Sequence, residues 1–529
     1  MSIRLIIDFF LDIVFVDRKL NKTELKKAEP RLYEVKNSIC EFYLAEFIKE
    51  KKRKKYNEDI FRLYCSNYQF LYKNIISSKY FNHKIVSSIC NNTSFYFPLN
   101  DDILDIIHSK KIKINFLISR ILFNILRFIF IIKNILSAIF YLIISLKFNF
   151  INTNKMNIIY LSFIPNINHN KGLVKQDNFF LWVKKYFKIS SKIIFVHKNN
   201  QIKNKFLKKD NYEVKYHTYL LKNFSIKNIL SIIKSLKLAF GLILRSKKKN
   251  KLSNLNCFIF EDLTIFFYLK INKKLKPKIC LFSNIELFYR PYWTYAIKET
   301  YLYYYSTNTN FINNRKLKNK FYDLFLTKFY TWNNYICWTK EQKSWLLDNA
   351  YLSKPIINLC KFIPYLGENK FIKKSKNKII TIFDVPPKNE GDYKTFLNPY
   401  NIYSESLCIK FLDDIINNAS ELDVKIIIKM KYSNKGISFK YINYLNKIEK
   451  KYKEKIIIYR EKISAQSLIN ISDMVFSLPF SSPSVIGNRM KVKSYYYDPY
   501  NIIRHTKYNS KTVKLLNSES QLKKILQTV

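Results

Sequence analysis

The sequence predicts an α/β protein with two Rossmann-like domains that follow a helical N-terminal region. Between residues 378 and 500, five short apolar runs alternate with helix-like segments. A looser alternation of the same kind begins near Met156, and a polar, lysine-rich break at 362–378 separates the two halves. Strands that alternate with helices form parallel sheets, because each crossover places a helix on a face of the sheet. The predicted units are therefore 1–150, 151–361, a linker at 362–378, and 379–529.

The composition favours anionic partners but does not point to nucleic acid. The 529 residues include 92 Lys and Arg against 39 Asp and Glu, a formal net charge of +53. A field of that size attracts phosphates and anionic lipid, although a lysine-biased surface explains the same number. The denser basic runs at 51–55 and 247–249 lack the interleaved glycines and aromatics of nucleic-acid modules. We therefore expect no specific nucleic-acid partner.

Cysteine spacing and the amino terminus indicate a cytoplasmic protein without a metal site. The eight cysteines are far apart and form no Cys-x-x-Cys pair, so neither zinc nor any other metal or cofactor is predicted. They are typical of small buried hydrophobes in a reducing compartment. The apolar amino terminus contains Asp8 and Asp12, which argues against a secretory signal.

The most apolar segment of the chain is 121–146, within the predicted helical region. Its Arg127 and Lys133 make a simple transmembrane span doubtful, because a charge at mid-bilayer costs about 2.5–3.5 kcal/mol on insertion scales. The segment is interpreted as a helix in the membrane interface, with a true span and a buried core helix as alternatives. The polar residues that we expect on one face, towards anionic head groups, are Arg120, Asn124, Arg127, Asn134 and Ser145.

The first α/β half contains five apolar runs that predict strands. These runs lie at 158–161, 192–196, 257–260, 279–282 and 301–305, with helices expected at 177–187 and 226–244. The 226–244 helix is apolar with lysines on one side, so it could contact a membrane or cover the sheet.

The second half shows the clearer pattern. Strands are predicted at 378–383, 424–428, 455–459, 474–477 and 492–497. Between the first two, Leu407, Phe411 and Ile415 recur at the spacing of a helix, with Ser404 as its expected N-cap. This arrangement predicts a doubly wound domain.

In such a domain, ligands bind beyond the carboxyl ends of the strands. The residues there are Asp384, Lys429, Lys431 and Asp498. Two lysines separated by one residue of extended chain point the same way and suit a phosphate or diphosphate. On an otherwise lysine-rich surface they could equally be rim residues.

Ser481 and Ser482 lie between two prolines, after a predicted strand and before a predicted helix. Hydroxyl groups and the free N–H groups of a helix start can bind an anion without glycine. The chain has 6 glycines and no glycine-rich phosphate loop, so a nucleotide must be held in this other way. A capping loop without ligand is the alternative.

The first domain offers a candidate base. Asp177 follows the loop after the first predicted strand, where a carboxylate could accept the proton of an acceptor hydroxyl, or could cap the helix. Glu286 and Arg290, past the strand at 279–282, are the other residues expected in the cleft.

These motifs resemble bacterial polysaccharide-biosynthesis proteins named for a Pro-Phe-Thr-Ser motif. Here the motif is Pro-Phe-Ser-Ser-Pro at 479–483, and serine in place of threonine keeps the hydroxyl group. The resemblance extends over roughly 155–500, with matching patterns at 290–293, 304–308, 383–387, 429–431, 472–477 and 496–499. It implies a GT-B-like, metal-independent glycosyltransferase of surface-polysaccharide assembly.

The expected partners are a nucleotide-sugar donor, a glycan or lipid-linked acceptor, and the anionic inner leaflet. The enzyme would then be peripheral or monotopic on the cytoplasmic face of the inner membrane. A transferase of CDP-linked phosphoalcohols is the nearest alternative. A non-catalytic scaffold at the membrane surface, or a charge-driven nucleic-acid binder, is the alternative from another class, because fold alone does not establish activity.

Overall fold

The computed structural model describes most of the chain between residues 22 and 529. The described residues are 22–52, 58–76, 78–147, 157–161, 177–190, 193–197, 208–209, 212–216, 226–247, 256–273, 276–283, 290–307, 313–314, 330–349, 355–360, 376–385, 387, 404–431, 437–460, 463–504, 508 and 511–529.

Within its described residues, the N-terminal region is helical, as predicted. Its helices are α1 (Lys22–Lys51), α2 (Glu58–Leu71), α3 (Lys79–Asn91), α4 (Asp101–Ser109) and α5 (Phe116–Lys147). Tyr43, Phe47 and Tyr68 of α1 and α2 meet in a buried aromatic cluster. The same apolar core continues into the first α/β half, so this region packs against the sheet domain.

The first α/β half contains a sheet of eight strands in its described residues, in the order β3-β4-β2-β1-β5-β6-β8-β9. Its strands are β1 (Asn157–Leu161), β2 (Ile193–His197), β3 (Lys208–Lys209), β4 (Tyr212–Tyr216), β5 (Ile279–Ser283), β6 (Glu299–Tyr303), β8 (Asn334–Cys337) and β9 (Ile356–Leu359). All neighbours are parallel except β3 and β4. The helices are α6 (Asp177–Tyr186), α7 (Ile226–Lys247), α8 (Phe260–Ile271) and α9 (Lys340–Asn349), with a 3-10 turn at Tyr292–Ala296.

The strand predicted at 257–260 is wrong. Residues 256–259 form a 3-10 turn that leads directly into α8. The apolar run is buried because Phe258 stacks on Phe70 and meets Phe130 of α5 edge-on. A short apolar run does not distinguish a buried strand from the buried start of a helix, and here helical packing decided the outcome.

Helix α5 also differs from its prediction in the direction of its polar residues. Lys133 is paired with Glu261 of α8, and the side-chain amide of the buried Asn134 donates to the Cys257 carbonyl. Arg127 is half-buried and donates to Asn124. Lys133 and Asn134 face protein because α8 and the turn before it supply their partners, whereas Arg120 and Asn124 of the predicted polar face are exposed. Within the part of the chain that the structure describes, no helix is long and apolar enough to cross a bilayer.

The second half forms a parallel sheet with six strands among its described residues, in the order β12-β11-β10-β13-β14-β16. The strands are β10 (Lys378–Phe383), β11 (Val424–Lys429), β12 (Ile456–Tyr459), β13 (Met474–Ser477), β14 (Lys493–Tyr497) and β16 (Lys514–Leu516). Counted from β10, this is the order 3-2-1-4-5-6 of a doubly wound nucleotide-binding sheet.

Five helices cover this sheet in the described residues. They are α10 (Glu405–Ser420), α11 (Phe439–Lys451), α12 (Ala465–Ile469), α13 (Ser482–Arg489) and α14 (Glu519–Leu526). The predicted cap is confirmed, because Ser404 Oγ accepts the Leu407 N–H at the start of α10. The remaining short strands, β7 (Asn313–Asn314) and β15 (Ile503–Arg504), pair antiparallel and join the two halves.

The two parallel sheets with helical crossovers confirm the predicted class of two Rossmann-like α/β domains. A single apolar cluster includes residues of both sheets, among them Leu281 and Tyr303 of the first and Phe383 and Val475 of the second. The predicted linker lies almost wholly outside the described residues, and the domain boundaries stay predictions.

Candidate functional site

The second sheet has its topological switch point between β10 and β13. The chain passes from β10 to β11 on one side of this point and returns after β12 to β13 on the other side. Phe383, the last residue of β10, is in register with Lys429 of β11 and with Ser477 of β13. The loops that follow these three strands are therefore neighbours at one edge of the sheet. This is the edge where open α/β sheets bind their ligands.

Asp384 follows β10 directly and is buried, with 3 % of its surface exposed. Its Oδ1 accepts the Lys431 N–H at 3.0 Å, and its Oδ2 accepts the Tyr441 hydroxyl at 2.8 Å. The carboxyl group thus joins the end of β10 to the loop after β11 and to α11. Burial raises the pKa of Asp384 to about 6, although both hydrogen bonds oppose the rise.

The two predicted lysines lie beside this carboxyl group, but only one is fully at the surface. Lys431 is exposed, whereas Lys429 is half-buried and its ammonium group donates to the Met430 carbonyl at 2.5 Å. Burial lowers the pKa of Lys429, and the nearby Asp384 works in the opposite direction. The structure therefore brings Asp384, Lys429 and Lys431 together at the switch point.

The Pro-Phe-Ser-Ser-Pro loop connects β13 to α13 on the other side of the switch point. Ser481 is buried, and its hydroxyl donates to the Leu478 carbonyl at 2.8 Å. The Tyr496 hydroxyl in turn donates to the Ser481 carbonyl. Behind the loop, the hydroxyls of Ser477 and Ser484 lie 2.5 Å apart. The loop is thus held by its own hydrogen bonds.

Phe480 takes the left-handed backbone conformation, with a φ of 64°. For a residue with a side chain this conformation costs roughly 1–2 kcal/mol. Burial of the ring offsets that cost, because Phe480 packs edge-on against Tyr496 at 5.5 Å and joins a small apolar cluster. The turn at Phe480 leads into Ser481 and the start of α13, and left-handed conformations of this kind cluster at functional sites.

Ser482 faces the first domain instead of open solvent. Its Oγ accepts the Thr307 N–H at 3.0 Å, and the Thr307 hydroxyl donates to the Phe480 carbonyl at 3.2 Å. At the other end of α13, Arg489 donates to the Trp338 carbonyl. Thr307 and Trp338 follow β6 and β8, so α13 lies along the carboxyl edge of the first sheet. The carboxyl edges of the two sheets consequently face each other.

Asp498 lies at the end of β14, as predicted, but both of its carboxylate oxygens accept hydrogen bonds from backbone N–H groups. Oδ1 accepts the Tyr500 N–H at 3.3 Å and Oδ2 accepts the Ile503 N–H at 2.7 Å. The carboxylate therefore shapes the turn that leads to β15. A role in nucleotide binding stays a prediction that these contacts do not require.

Arg290 does not lie in the cleft, contrary to the prediction. It is 2 % exposed, and its guanidinium donates to the Thr331 carbonyl and to the hydroxyls of Thr294 and Thr300. It also stacks over the Tyr295 ring at 3.9 Å. Thr300 lies in the first half of β6 and Thr331 precedes β8, so Arg290 occupies the amino side of the sheet. There it is a structural residue.

The two predicted catalytic carboxylates are only partly located. Asp177 is the first residue of α6, the helix that follows β1, which agrees with its expected position along the chain. Glu286 lies outside the described residues. Their catalytic roles therefore stay predictions.

Two residues of the site were not singled out from the sequence. Thr307 binds the Pro-Phe-Ser-Ser-Pro loop across the domain interface, and Tyr441 donates to Asp384. Thr307 belongs to the 304–308 pattern used for the family resemblance, so a signal for it existed. Tyr441 had none, because its role depends on how α11 packs behind β10.

Across the described part of the chain, no three His, Cys, Asp or Glu side chains are grouped in a way that could hold a metal ion.

Residues 225–526 match the model of the polysaccharide biosynthesis PFTS motif protein family. The chain belongs to this family. The match includes the whole switch-point site of this PFTS motif protein, together with α7, α8 and four of the eight described strands of the first sheet. No protein of curated function matches the chain.

Solved structures show only distant similarity to this PFTS motif protein. The wall teichoic acid polymerase TagF is 12 % identical, over 76 % of this chain and 87 % of that one, with a TM-score of 0.36. An α,α-trehalose 6-phosphate synthase from Burkholderia multivorans is 8 % identical, over 70 % and 90 %, with a TM-score of 0.37. A glycosyltransferase from Rickettsia africae is 15 % identical, over 70 % and 87 %, with a TM-score of 0.35. Scores below 0.5 do not establish a shared arrangement of domains.

Proposed function

We propose that this PFTS motif protein is a GT-B-type glycosyltransferase of surface-polysaccharide biosynthesis. It would transfer a sugar from a nucleotide donor to a glycan or lipid-linked acceptor, at the cytoplasmic face of the inner membrane. The observation that carries the proposal is the switch point of the second sheet, where the Pro-Phe-Ser-Ser-Pro loop lies at the same sheet edge as Lys429 and Lys431. The chain belongs to a polysaccharide-biosynthesis family, which supports the proposal.

The donor phosphates are proposed to lie at the start of α13. A helix N-terminus presents free N–H groups and a partial positive charge, which suit a phosphate. Ser482 is the acceptor in its contacts with Thr307, so its own hydroxyl hydrogen can be directed to a phosphate oxygen. The ammonium groups of Lys429 and Lys431 would stabilise the leaving nucleotide without a metal.

The acceptor is proposed to enter from the first sheet, whose carboxyl edge faces α13. Asp177, at the start of the helix after β1, remains the proposed base for the acceptor hydroxyl, with Glu286 as the second candidate. A sugar bound beside α13 would then lie between the two edges. An acceptor linked to a lipid would also explain a strong positive charge on a protein that works at an anionic membrane.

Alanine at both Ser481 and Ser482 is expected to weaken donor binding at least tenfold. Hydrogen bonds to charged groups contribute roughly 1.5–3 kcal/mol, and the double variant removes the Ser482 hydroxyl that would bind the phosphate together with the Ser481 hydroxyl that holds the loop. A panel of UDP-, CMP-, CDP- and GDP-linked sugars, with CDP-glycerol included, first identifies the donor by thermal shift. Calorimetry with that donor then compares the double variant with the native chain.

Two controls separate phosphate binding from other effects. Alanine at Ser518 and Ser520 removes two neighbouring hydroxyls at the start of α14, away from the site, and should leave the affinity unchanged. Thr307→Val removes the interdomain hydroxyl contacts but keeps both serines. If Thr307→Val weakens binding as strongly as the double variant, or the double variant binds normally, the loop is not a phosphate site.

A further inference from the structure

Between residues 125 and 136 the outer side of α5 is apolar, whereas Lys133 and Asn134 face the protein. The six exposed residues between 125 and 136 are all apolar, and Phe128, with 62 % of its surface exposed, is the most prominent. They are Ile125, Phe128, Ile131, Ile132, Ile135 and Leu136. Lys133 and Asn134, by contrast, are bound to α8 and to the turn before it. A helix of a protein surrounded by water normally has the opposite arrangement.

Helix α7 continues this apolar surface and adds positive charge. Helices α5 and α7 contact each other, and both pack on α8. Their outer sides therefore point away from the same helix. The exposed residues of α7 combine four apolar side chains with two lysines: Leu230, Ile233, Lys234, Lys237, Phe240 and Leu244. We call the exposed residues of these two helices the α5–α7 surface.

We propose that the α5–α7 surface docks on an anionic lipid bilayer, with its apolar side chains at the boundary between head groups and acyl chains. Lys234 and Lys237 would lie among the anionic head groups. Large apolar side chains mixed with lysines on one face are the signature of helices that lie in a membrane interface. This inference deepens the membrane contact in the proposed function, but it requires no transferase activity.

A second copy of the chain is the competing occupant, and charge argues against it. Each copy carries a net charge of +53, and the α5–α7 surface itself contributes exposed lysines. Two such surfaces brought face to face would repel each other, whereas an anionic bilayer attracts them. Helix α5 can keep its apolar side outward because Glu261 neutralises Lys133 and the Cys257 carbonyl accepts a hydrogen bond from Asn134.

Vesicle flotation with the full chain tests the apolar part of the docking. The probe is vesicles of phosphatidylcholine with 30 % phosphatidylglycerol, compared with pure phosphatidylcholine. Serine at Phe128, Ile132 and Ile135 should lower the partition coefficient at least tenfold, because three side chains lose their transfer into the interface. The matched control places serine at Phe439, Ile356 and Ile457, which are comparably exposed in the α/β domains, and should change partitioning less than twofold.

The lysines provide an independent arm that leaves the apolar surface intact. Serine at Lys234 and Lys237 should reduce binding to the anionic vesicles roughly 25-fold and leave binding to neutral ones unchanged, since each lysine near an anionic surface contributes about fivefold. Lys447 and Lys450 are exposed at the same spacing on α11 and serve as the control pair. Failure of the native chain to float overturns the proposal, and so does flotation of the α5 and α7 variants equal to that of the native chain. So does a native dimer that the α5 variant converts to a monomer in light scattering. Donor binding by the α5 variant should be unchanged. A failure of membrane docking is therefore distinguishable from a failure of the proposed transferase function.

Discussion

Replacing Arg290 with lysine is expected to lower the free energy of unfolding by about 3 kcal/mol, with the urea midpoint falling accordingly. The guanidinium is buried and donates to the Thr331 carbonyl and to the Thr294 and Thr300 hydroxyls while it stacks over Tyr295. A lysine ammonium group cannot reproduce this planar set of contacts, and each buried acceptor left unpaired costs roughly 1–3 kcal/mol. Burial also lowers the pKa of Arg290, because removal from water disfavours the charged guanidinium. The hydrogen bonds and the Tyr295 ring offset this cost.

Tryptophan fluorescence can follow this unfolding, because the Arg290 guanidinium lies 5.4 Å from the Trp332 ring centre. Arg460→Lys is the control, since Arg460 forms an exposed pair with Glu449 and exposed pairs contribute roughly 0–1 kcal/mol. Donor affinity of the folded Arg290 variant should equal that of the native chain. Native stability with weakened donor binding would instead place Arg290 in the cleft, as its sequence position suggested.

Replacing Asp384 with asparagine is expected to remove a pH dependence of stability. Burial raises the pKa of this carboxyl group from 3.8 to about 6, so the folded chain binds its proton more tightly than the unfolded chain. The stability from the bound proton is present below pH 4 and is lost as the pH rises to 6. The difference reaches about 3 kcal/mol above pH 6, on the scale of roughly 1.4 kcal/mol per pKa unit.

Thermal unfolding between pH 4 and pH 8 measures this effect. The melting temperature of the native chain should fall, relative to that of Asp384→Asn, between pH 4 and pH 6, and the difference should be constant above. Asp414→Asn is a matched control for the loss of a tyrosine contact, because the buried Asp414 also accepts a tyrosine hydroxyl, that of Tyr497, at 2.6 Å. Parallel curves for the native chain and Asp384→Asn would show that the carboxyl group is not protonated near pH 6.

The second domain was largely predictable because its signals are local. Each strand is a short apolar run with a polar boundary, and serines cap the helices that follow, as Ser404 and Ser438 do. The order of strands along the chain then places Asp384, Lys429 and the 479–483 loop at one edge of a doubly wound sheet, because the hand of each crossover is nearly fixed. The family motif lies at the same edge.

The first domain was less predictable because burial there comes from elements distant in sequence. The run at 257–260 became part of a helical turn because Phe70 and Phe130 enclose Phe258. Strands β8 and β9 were also missed, although β12 and β13 are equally short and were predicted.

The sequence by itself determined the α/β class, the doubly wound pattern of the second half and the position of Asp384, Lys429, Lys431, Ser481 and Ser482 beyond the ends of its strands. Those features depend on periodicity, capping and strand order, which are properties of adjacent residues. The tertiary structure alone decided that Arg290 is structural, that Ser482 faces Thr307, and that the outer side of α5 is apolar. Each of these depends on which partner a side chain meets, and the partners of Arg290, Ser482 and Lys133 come from other segments of the chain.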